Sequence, residues 1–283
     1  MSERLEVNKT FKLVVKGAFV RSESGRSYEV RDAAGGFLAN VAQASRKDLR
    51  DAVVAARAAQ GAWWDASAYN RGQVLYRWAE MAESRRDELV DLVGAVEGHK
   101  KKDALGHVGR AIDRIVWYAG WTDKVAQVLG GANPVAGPFF NFSQPGPCGV
   151  VGVIAPQESS LEGFVNCVAA PLCVGNAVVA VASEQRPTPA LALAEMSVTS
   201  DFPPGILNVL SGFGAELMGQ LASHGDVDGI DLSGSGDAAD ELARVAADSI
   251  KRVYRERSND VENPLRRLRT FVETTTVWHT IGQ

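Results

Sequence analysis

Cysteine, histidine, long apolar runs and clustered charge are all scarce in this sequence, and each scarcity removes a class of function. Three cysteines, Cys148, Cys167 and Cys173, stand among 283 residues. Their number is odd, and the spacing C-x18-C-x5-C fits no zinc-ligand pattern. Cys167 and Cys173 sit in the apolar stretch NCVAAPLCVG and read as small core residues. The four histidines, His99, His107, His224 and His279, are scattered. His99 lies beside KKKD and reads as solvent-exposed, and none stands at a catalytic spacing from a Cys or Ser. No metal site follows from them. No stretch approaches the roughly 20 uninterrupted apolar residues of a membrane helix. The opening MSERLEVNKT is charged and lacks the apolar centre of a signal peptide. Formal net charge is −4, and the nearest thing to a basic run, IKRVYRER, is flanked by Asp248, Asp260 and Glu262. Nucleic-acid binding needs clustered Lys and Arg. The expectation is a cytoplasmic protein of a reducing compartment, with neither nucleic acid nor membrane as partner.

What is present is an ordinary globular composition, 46% hydrophobic and 23% charged, arranged in periodic segments. Residues 10–32 alternate apolar and polar positions between turn signals, which predicts short antiparallel strands. Residues 45–65 open on Ser45 with Asp48 three positions on. Leu49, Ala52, Val53, Ala56 and Ala59 then make one helical stripe. Residues 70–98 repeat the pattern as one or two helices, with Val74, Leu75, Trp78, Met81, Ala82, Leu89, Leu92 and Val93 inward. Residues 104–130 give another, with Ile112, Ile115, Val116 and Ala119 on one side. Residues 130–149, rich in Gly and Pro, read as a crossing segment with FFNFS extended.

From Gly149 onward strands and helices alternate. GVVGVIAP, NAVVAVAS, ILNVLSG and VDGIDLSGSG read as four strands. Residues 160–175, 187–200, 215–224 and 237–256 read as helices following them. That order predicts a parallel sheet with right-handed crossovers, and runs as apolar as GVVGVI suit strands covered on both faces. Residues 266–282, RRLRTFVETTTVWHTIG, are dense in β-branched and aromatic residues and read as a long strand or a hairpin.

Two groups in this frame could carry chemistry. Gly212 and Gly214, with Gly219 behind them, would let a backbone approach a pyrophosphate ahead of a helix N-terminus. The spacing G-x-G-x4-G departs from the usual dinucleotide fingerprint, and a strand-to-helix turn can need glycine for its own backbone. Glu184 ends the second strand, where a carboxylate can hold a ribose hydroxyl pair or sit solvated before a helix N-terminus. No nucleophile elbow surrounds the serine of GSGD.

These segments resemble the aldehyde dehydrogenase superfamily. PGPCGVVGVIAP is similar to the family's first Rossmann strand and its approach. PLCVGNAVVAVASEQRPTPALALAEM is similar to the second strand and helix. FPPGILNVLSGFGAELMGQLASHGDVDGIDLSGSG is similar to the third and fourth strands with their loops. The likeness runs from about Lys12 to Gly236. It is closest to the degenerate second half of the family-16 aldehyde dehydrogenases, through TFKLVVKGAFVRSESGRSYEV, SRKDLRDAVVAARAA and AYNRGQVLYRWAEM.

The resemblance implies an α/β fold: a Rossmann-like parallel sheet with helices on both faces, plus a small β oligomerisation arm. It implies four divisions. Residues 1–137 hold N-terminal strands and helices, 138–148 an arm segment, 149–262 the Rossmann-like core, and 263–283 C-terminal oligomerisation strands. It also implies a cofactor set for NAD or NADP, from which this sequence departs. The family's Pro-Trp-Asn, whose Asn donates to the oxyanion, reads Pro156-Gln157-Glu158, and a carboxylate there repels a developing oxyanion. The family's Lys-Pro-(Ser/Ala)-Glu reads Val181-Ala182-Ser183-Glu184, so the ribose lysine is lost and the glutamate kept. The phosphate-contacting serine of Phe-Thr-Gly-Ser is kept as Ser235. The Glu-Leu-Gly-Gly strand and the domain carrying the nucleophilic cysteine are expected to be missing, since no Cys follows Cys173 and the family's chemistry needs a thiolate.

What the resemblance leaves is a vestigial or weak cofactor set, Ser183, Glu184, Gly212, Gly214 and Ser235, for NAD, NADP or neither. It leaves no catalytic residue and no metal. FFNFSQPGP and LRTFVETTTVWHTIG stand where the family pairs subunits, and so long a strand aggregates unless it is paired. The expectation is a non-catalytic structural or regulatory subunit, as a homodimer or joined to a full-length aldehyde dehydrogenase. The alternatives are an NAD(P)-dependent oxidoreductase acting on aldehydes and a nucleotide-binding regulator without turnover.

Overall fold

The computed structural model describes residues 9–256 and 264–281. Sequence readings of MSERLEVN, of residues 257–263 and of the last two residues lie outside that range. The chain opens with β1 (Thr10–Phe11), β2 (Leu13–Val15), β3 (Ala18–Val20), β4 (Ser27–Arg31) and β5 (Phe37–Ala42). Lys16 and Gly17, both at positive φ, turn β2 back on β3. β4 lies antiparallel to β5, but β1 runs parallel to β5. The antiparallel expectation fails there because β2 and β3 leave for another sheet. The chain returns alongside β1 only after that excursion, as a parallel pairing requires.

Next come α1 (Arg46–Asp65), α2 (Ala68–Ser84), α3 (Arg86–Glu97), α4 (Lys101–Ala119) and the short α5 (Val125–Leu129). The Ser45 side chain accepts from the amides of Lys47 and Asp48, and the Asp48 carboxylate accepts from Ser45 N–H at 2.8 Å. This is the reciprocal cap legible in the sequence, worth about 1 kcal/mol. α2 and α3 separate at Arg85, which leaves helical geometry. Most of the inward stripes are buried as read, but Ala59, Val74, Met81 and Leu92 are half-buried against the core and Val116 is exposed.

The arm is built from β6 (Gly131–Asn133) and β7 (Phe139–Pro147). The core then runs β8 (Val150–Ile154), α6 (Glu162–Cys173), β9 (Ala177–Val181), α7 (Thr188–Ser197), β10 (Leu207–Leu210), α8 (Gly214–Ser223), β11 (Gly229–Asp231), α9 (Ala239–Ala247) and β12 (Arg252–Tyr254). The chain closes with α10 (Leu265–Thr270) and β13 (Val272–Thr280). Every residue of β8, β9, β10 and β11 is buried, as parallel strands with helices on both faces demand. The full sheet has seven strands in the order β12-β11-β8-β9-β10-β2-β3. α6 and α7 cover one face with α2, α3 and α4 layered behind them, and α1 and α8 cover the other.

Two readings of the C-terminal third need correcting. The helix expected through residue 256 stops at Ala247. Ile250 takes positive φ, and residues 252–254 become a fifth parallel strand against β11. A strand therefore does follow the fourth one, where the resemblance left none. The tail is not strand throughout, because residues 265–270 form α10 before β13 begins. β13 pairs antiparallel with β7, from Val272 opposite Pro147 to Thr280 opposite Phe139, and β6 lies on the far side of β7. No helix among the described residues is long and apolar enough to cross a membrane.

Candidate functional site: the crevice at the carboxyl ends of the strands

In a parallel sheet the loops at the carboxyl ends of the strands form the ligand crevice, and all five residues expected to face a cofactor lie there. The loop after β8 supplies Gln157 and Glu158, the end of β9 supplies Ser183 and Glu184, the turn into α8 supplies Gly212 and Gly214, and the loop after β11 supplies Ser235. Val181 ends β9 and is buried between Ile154 of β8 and Leu210 of β10. Val181 itself presents no cationic side chain there.

The polar groups bind one another. The Gln157 side-chain carbonyl accepts from Glu184 N–H at 2.9 Å, and its amide donates to the Ala155 carbonyl at 3.0 Å. The Ser183 hydroxyl donates to the Gln157 carbonyl at 3.1 Å and accepts from Arg186 N–H. Arg186 donates through Nη1 to the Glu158 carbonyl at 2.9 Å. The Glu184 carboxylate accepts from Gly214 N–H at 2.9 Å, at the first residue of α8. The Ser235 hydroxyl donates inward to the Leu232 carbonyl at 2.6 Å. Gly212 faces protein, since a Cβ there would lie 3.3 Å from the backbone of Ala44. A cavity of about 430 Å³ beside Glu184 is lined in part by Tyr28, Arg31, Asp32, Arg186 and Phe213.

The three thiols are far from nucleophilic. Burial pushes Cys148 up to about 12 and Cys167 and Cys173 well above the ordinary thiol range. A thiol nucleophile must be deprotonated to react, so none of the three is poised to attack near neutral pH.

Sequence reasoning missed two clusters, because neither has a local signature. At the carboxyl ends of β11 and β12, Arg267 of α10 lies with Nε 2.9 Å from the Asp231 carboxylate. That pair is close enough for an ion pair but is not aligned as a hydrogen bond. Arg267 also donates to the Ser233 hydroxyl at 2.9 Å and stacks over Tyr254 at 4.4 Å. The second cluster joins two of the histidines that looked scattered. His99 Nε2 lies 2.9 Å, and His107 Nδ1 3.5 Å, from the buried Glu97 carboxylate. The three ligand atoms are close enough to surround a metal ion. However, His107 Nε2 accepts from Glu162 N–H at 2.9 Å. The ring proton therefore sits on Nδ1, on the atom a metal would need, whereas a ligating histidine donates from its other nitrogen. The cluster is a hydrogen-bonded junction of α3, α4 and α6.

The aldehyde dehydrogenase family profile matches residues 19–259. The chain belongs to the aldehyde dehydrogenase family. It is 35% identical over 259 residues to the putative aldehyde dehydrogenase DhaS of Bacillus subtilis (strain 168), covering 89% of this chain and 52% of that protein. It is 34% identical over 255 residues to retinal dehydrogenase 2 of Gallus gallus, covering 88% and 48%. Among solved structures, the NAD+ complex of an aldehyde dehydrogenase from Bacillus cereus superposes with a TM-score of 0.84 at 30% identity, over 88% of this chain and 51% of that one. PnpE from Pseudomonas sp. WBC-3 gives the same TM-score, 0.84, at 30% identity over 88% and 51%. The chain thus spans about half the length of the relatives it matches.

The Bacillus cereus structure is a complex with NAD+, a dinucleotide. Its two phosphates need hydrogen-bond donors or cations. Ser183, Ser235 and the Gly214 amide donate within the protein, Arg186 and Arg31 of the cavity lining donate to protein oxygens, Val181 offers no charge, and Glu184 and Glu158 bring negative charge. The residues present do not fit the group.

Proposed function

We propose that this chain is a non-catalytic, cytoplasmic member of its family that acts by assembly, joining its arm to a second copy or to a complete aldehyde dehydrogenase and so stabilising or organising that partner. The observation that carries the reading is β13. It is the outer strand of the arm, and only its first residue, Val272, is buried. Phe139 and Trp278 meet edge to face at 5.8 Å, and with Phe140 they leave three aromatic rings exposed. Exposed edges are normally blunted by Pro, Lys or inward charge, and VETTTVWHT carries only Glu273. An edge so long and so unprotected is one that another chain covers. The upward-shifted thiols and the inward-turned polar groups of the crevice support the non-catalytic half.

The test is light scattering on the eluted protein, alone and mixed with a complete aldehyde dehydrogenase from the same host, while the eluate is assayed for aldehyde oxidation. A dimer or a stoichiometric mixed complex is expected, weakened by Trp278→Asp. A strictly monomeric protein in both settings sinks the proposal. Aldehyde-dependent NADH formation by the pure chain would establish the oxidoreductase reading instead.

A further inference from the structure

We propose that the phosphate-binding positions of the crevice are taken by the chain's own groups: the Glu184 carboxylate is the N-terminal cap of α8, standing where a ligand phosphate would stand, and the chain holds no dinucleotide. The inference rests on the non-catalytic reading and assigns Glu184 a role the resemblance does not give it.

The first amides of a helix have no partner within it. At α8 the capping position is Phe213, whose side chain has no acceptor. Glu184, thirty residues earlier in the chain, supplies one to Gly214 N–H. The residue is held in place by its backbone: its N–H donates to Gln157, and its carbonyl accepts from the Tyr28 hydroxyl at 3.1 Å. The helix dipole that would draw a phosphate to this point favours the carboxylate for the same reason, and the carboxylate is already there.

The other polar groups of the crevice are likewise turned to protein. Gly234 N–H donates to the Ile154 carbonyl at 2.8 Å, and a Cβ on Gly234 would fall 1.8 Å from the Ala155 carbonyl oxygen. Only glycine allows that approach, which presses the loop carrying Ser235 onto the end of β8 with its hydroxyl turned inward. Of the guanidinium groups around the crevice, Arg186 is turned to the Glu158 carbonyl, Arg31 to the Gly35 carbonyl and Glu29, and Arg267 to Asp231, Ser233 and Glu256.

The experiment titrates NAD+, NADP+ and NADH separately into the full chain by calorimetry and follows thermal unfolding of the wild type, Glu184→Ala and Glu184→Gln without nucleotide. No saturation is expected with any of the three up to about 1 mM. Glu184→Ala should lower Tm by roughly 2–4 °C, the scale of a lost cap in a chain of this size. Glu184→Gln, whose amide oxygen can still accept from Gly214 N–H, should recover most of that loss. Saturable binding by the wild type overturns the proposal, and an unchanged Tm in Glu184→Ala overturns the cap whatever the titrations show. Binding without turnover would defeat this inference and leave the assembly reading standing. Aldehyde-dependent NADH formation would defeat both.

Discussion

At His107 one ring ties three helices together, and its protonation state follows from what it touches. Nε2 accepts from the first amide of α6, and Nδ1 faces Glu97 at the end of α3. Burial lowers the pKa of the ring below the usual imidazole value, and the nearby Glu97 carboxylate, pulling upward, does not reverse it. Protonating Nε2 would set two N–H groups against each other. The folded state therefore binds fewer protons than the unfolded chain in this range, and stability rises with pH through it. The contribution is fully present above about pH 6.5 and is lost as pH falls toward the lowered folded value. Urea unfolding at about pH 7.5 and pH 5.5 should show a loss at the lower pH that is smaller in His107→Gln, whose amide oxygen can still accept from Glu162 N–H. Equal losses in the two proteins would show that His107 is not the titrating group.

Among the elements, α2 shows how a helix is anchored. Trp78 is fully buried, donates through Nε1 to the Leu193 carbonyl of α7 at 3.0 Å, and meets Phe202 edge-on at 5.6 Å. Trp78→Ala removes a large apolar side chain and leaves a buried carbonyl without its donor, so about 3–5 kcal/mol should be lost. Tyr69→Ala, on the exposed side of the same helix, should change stability by no more than about 0.5 kcal/mol. Urea midpoints at unchanged slope would check both. α1 and α2 were readable because a serine cap and a 3.6-residue stripe are local signals. β12 was not, because RVY is three residues long, follows a helix without a proline, and becomes a strand only where the edge of β11 offers partners.

Over the whole molecule, the C-terminal segment is joined to the core by a buried ion pair. Asp231 is wholly buried at the end of β11, and Arg267 is nearly so. Arg267→Ala leaves an uncompensated buried carboxylate, which costs about 3–5 kcal/mol. Replacing both partners with apolar residues, as in Asp231→Leu with Arg267→Met, should cost less than the single change. Since α10 leads directly into β13, amide exchange in β13 should speed up in Arg267→Ala while α1 stays protected. Uniform change across the molecule, or none, would show that the pair does not hold the arm strand to the core.

The alternation of strand and helix from Gly149, the buried parallel strands, the Ser45 cap and the uncharged side chain at Val181 were all in the sequence, because periodicity, capping and identity act within a few residues of chain. Which residues would stand at the carboxyl ends of the strands was legible too, once the strands were placed. What those residues do was decided only by tertiary structure. Glu184 reads equally well as a ribose acceptor or a solvated turn residue until Gly214 is brought to its carboxylate. Asp231 and Arg267 read as unrelated charges until α10 folds over the sheet, and His99 and His107 as scattered until α4 packs on α6. Hydrogen bonds and ion pairs of this kind join groups distant along the chain, and only the packed core that excludes water brings their partners within reach and makes an unpartnered group costly.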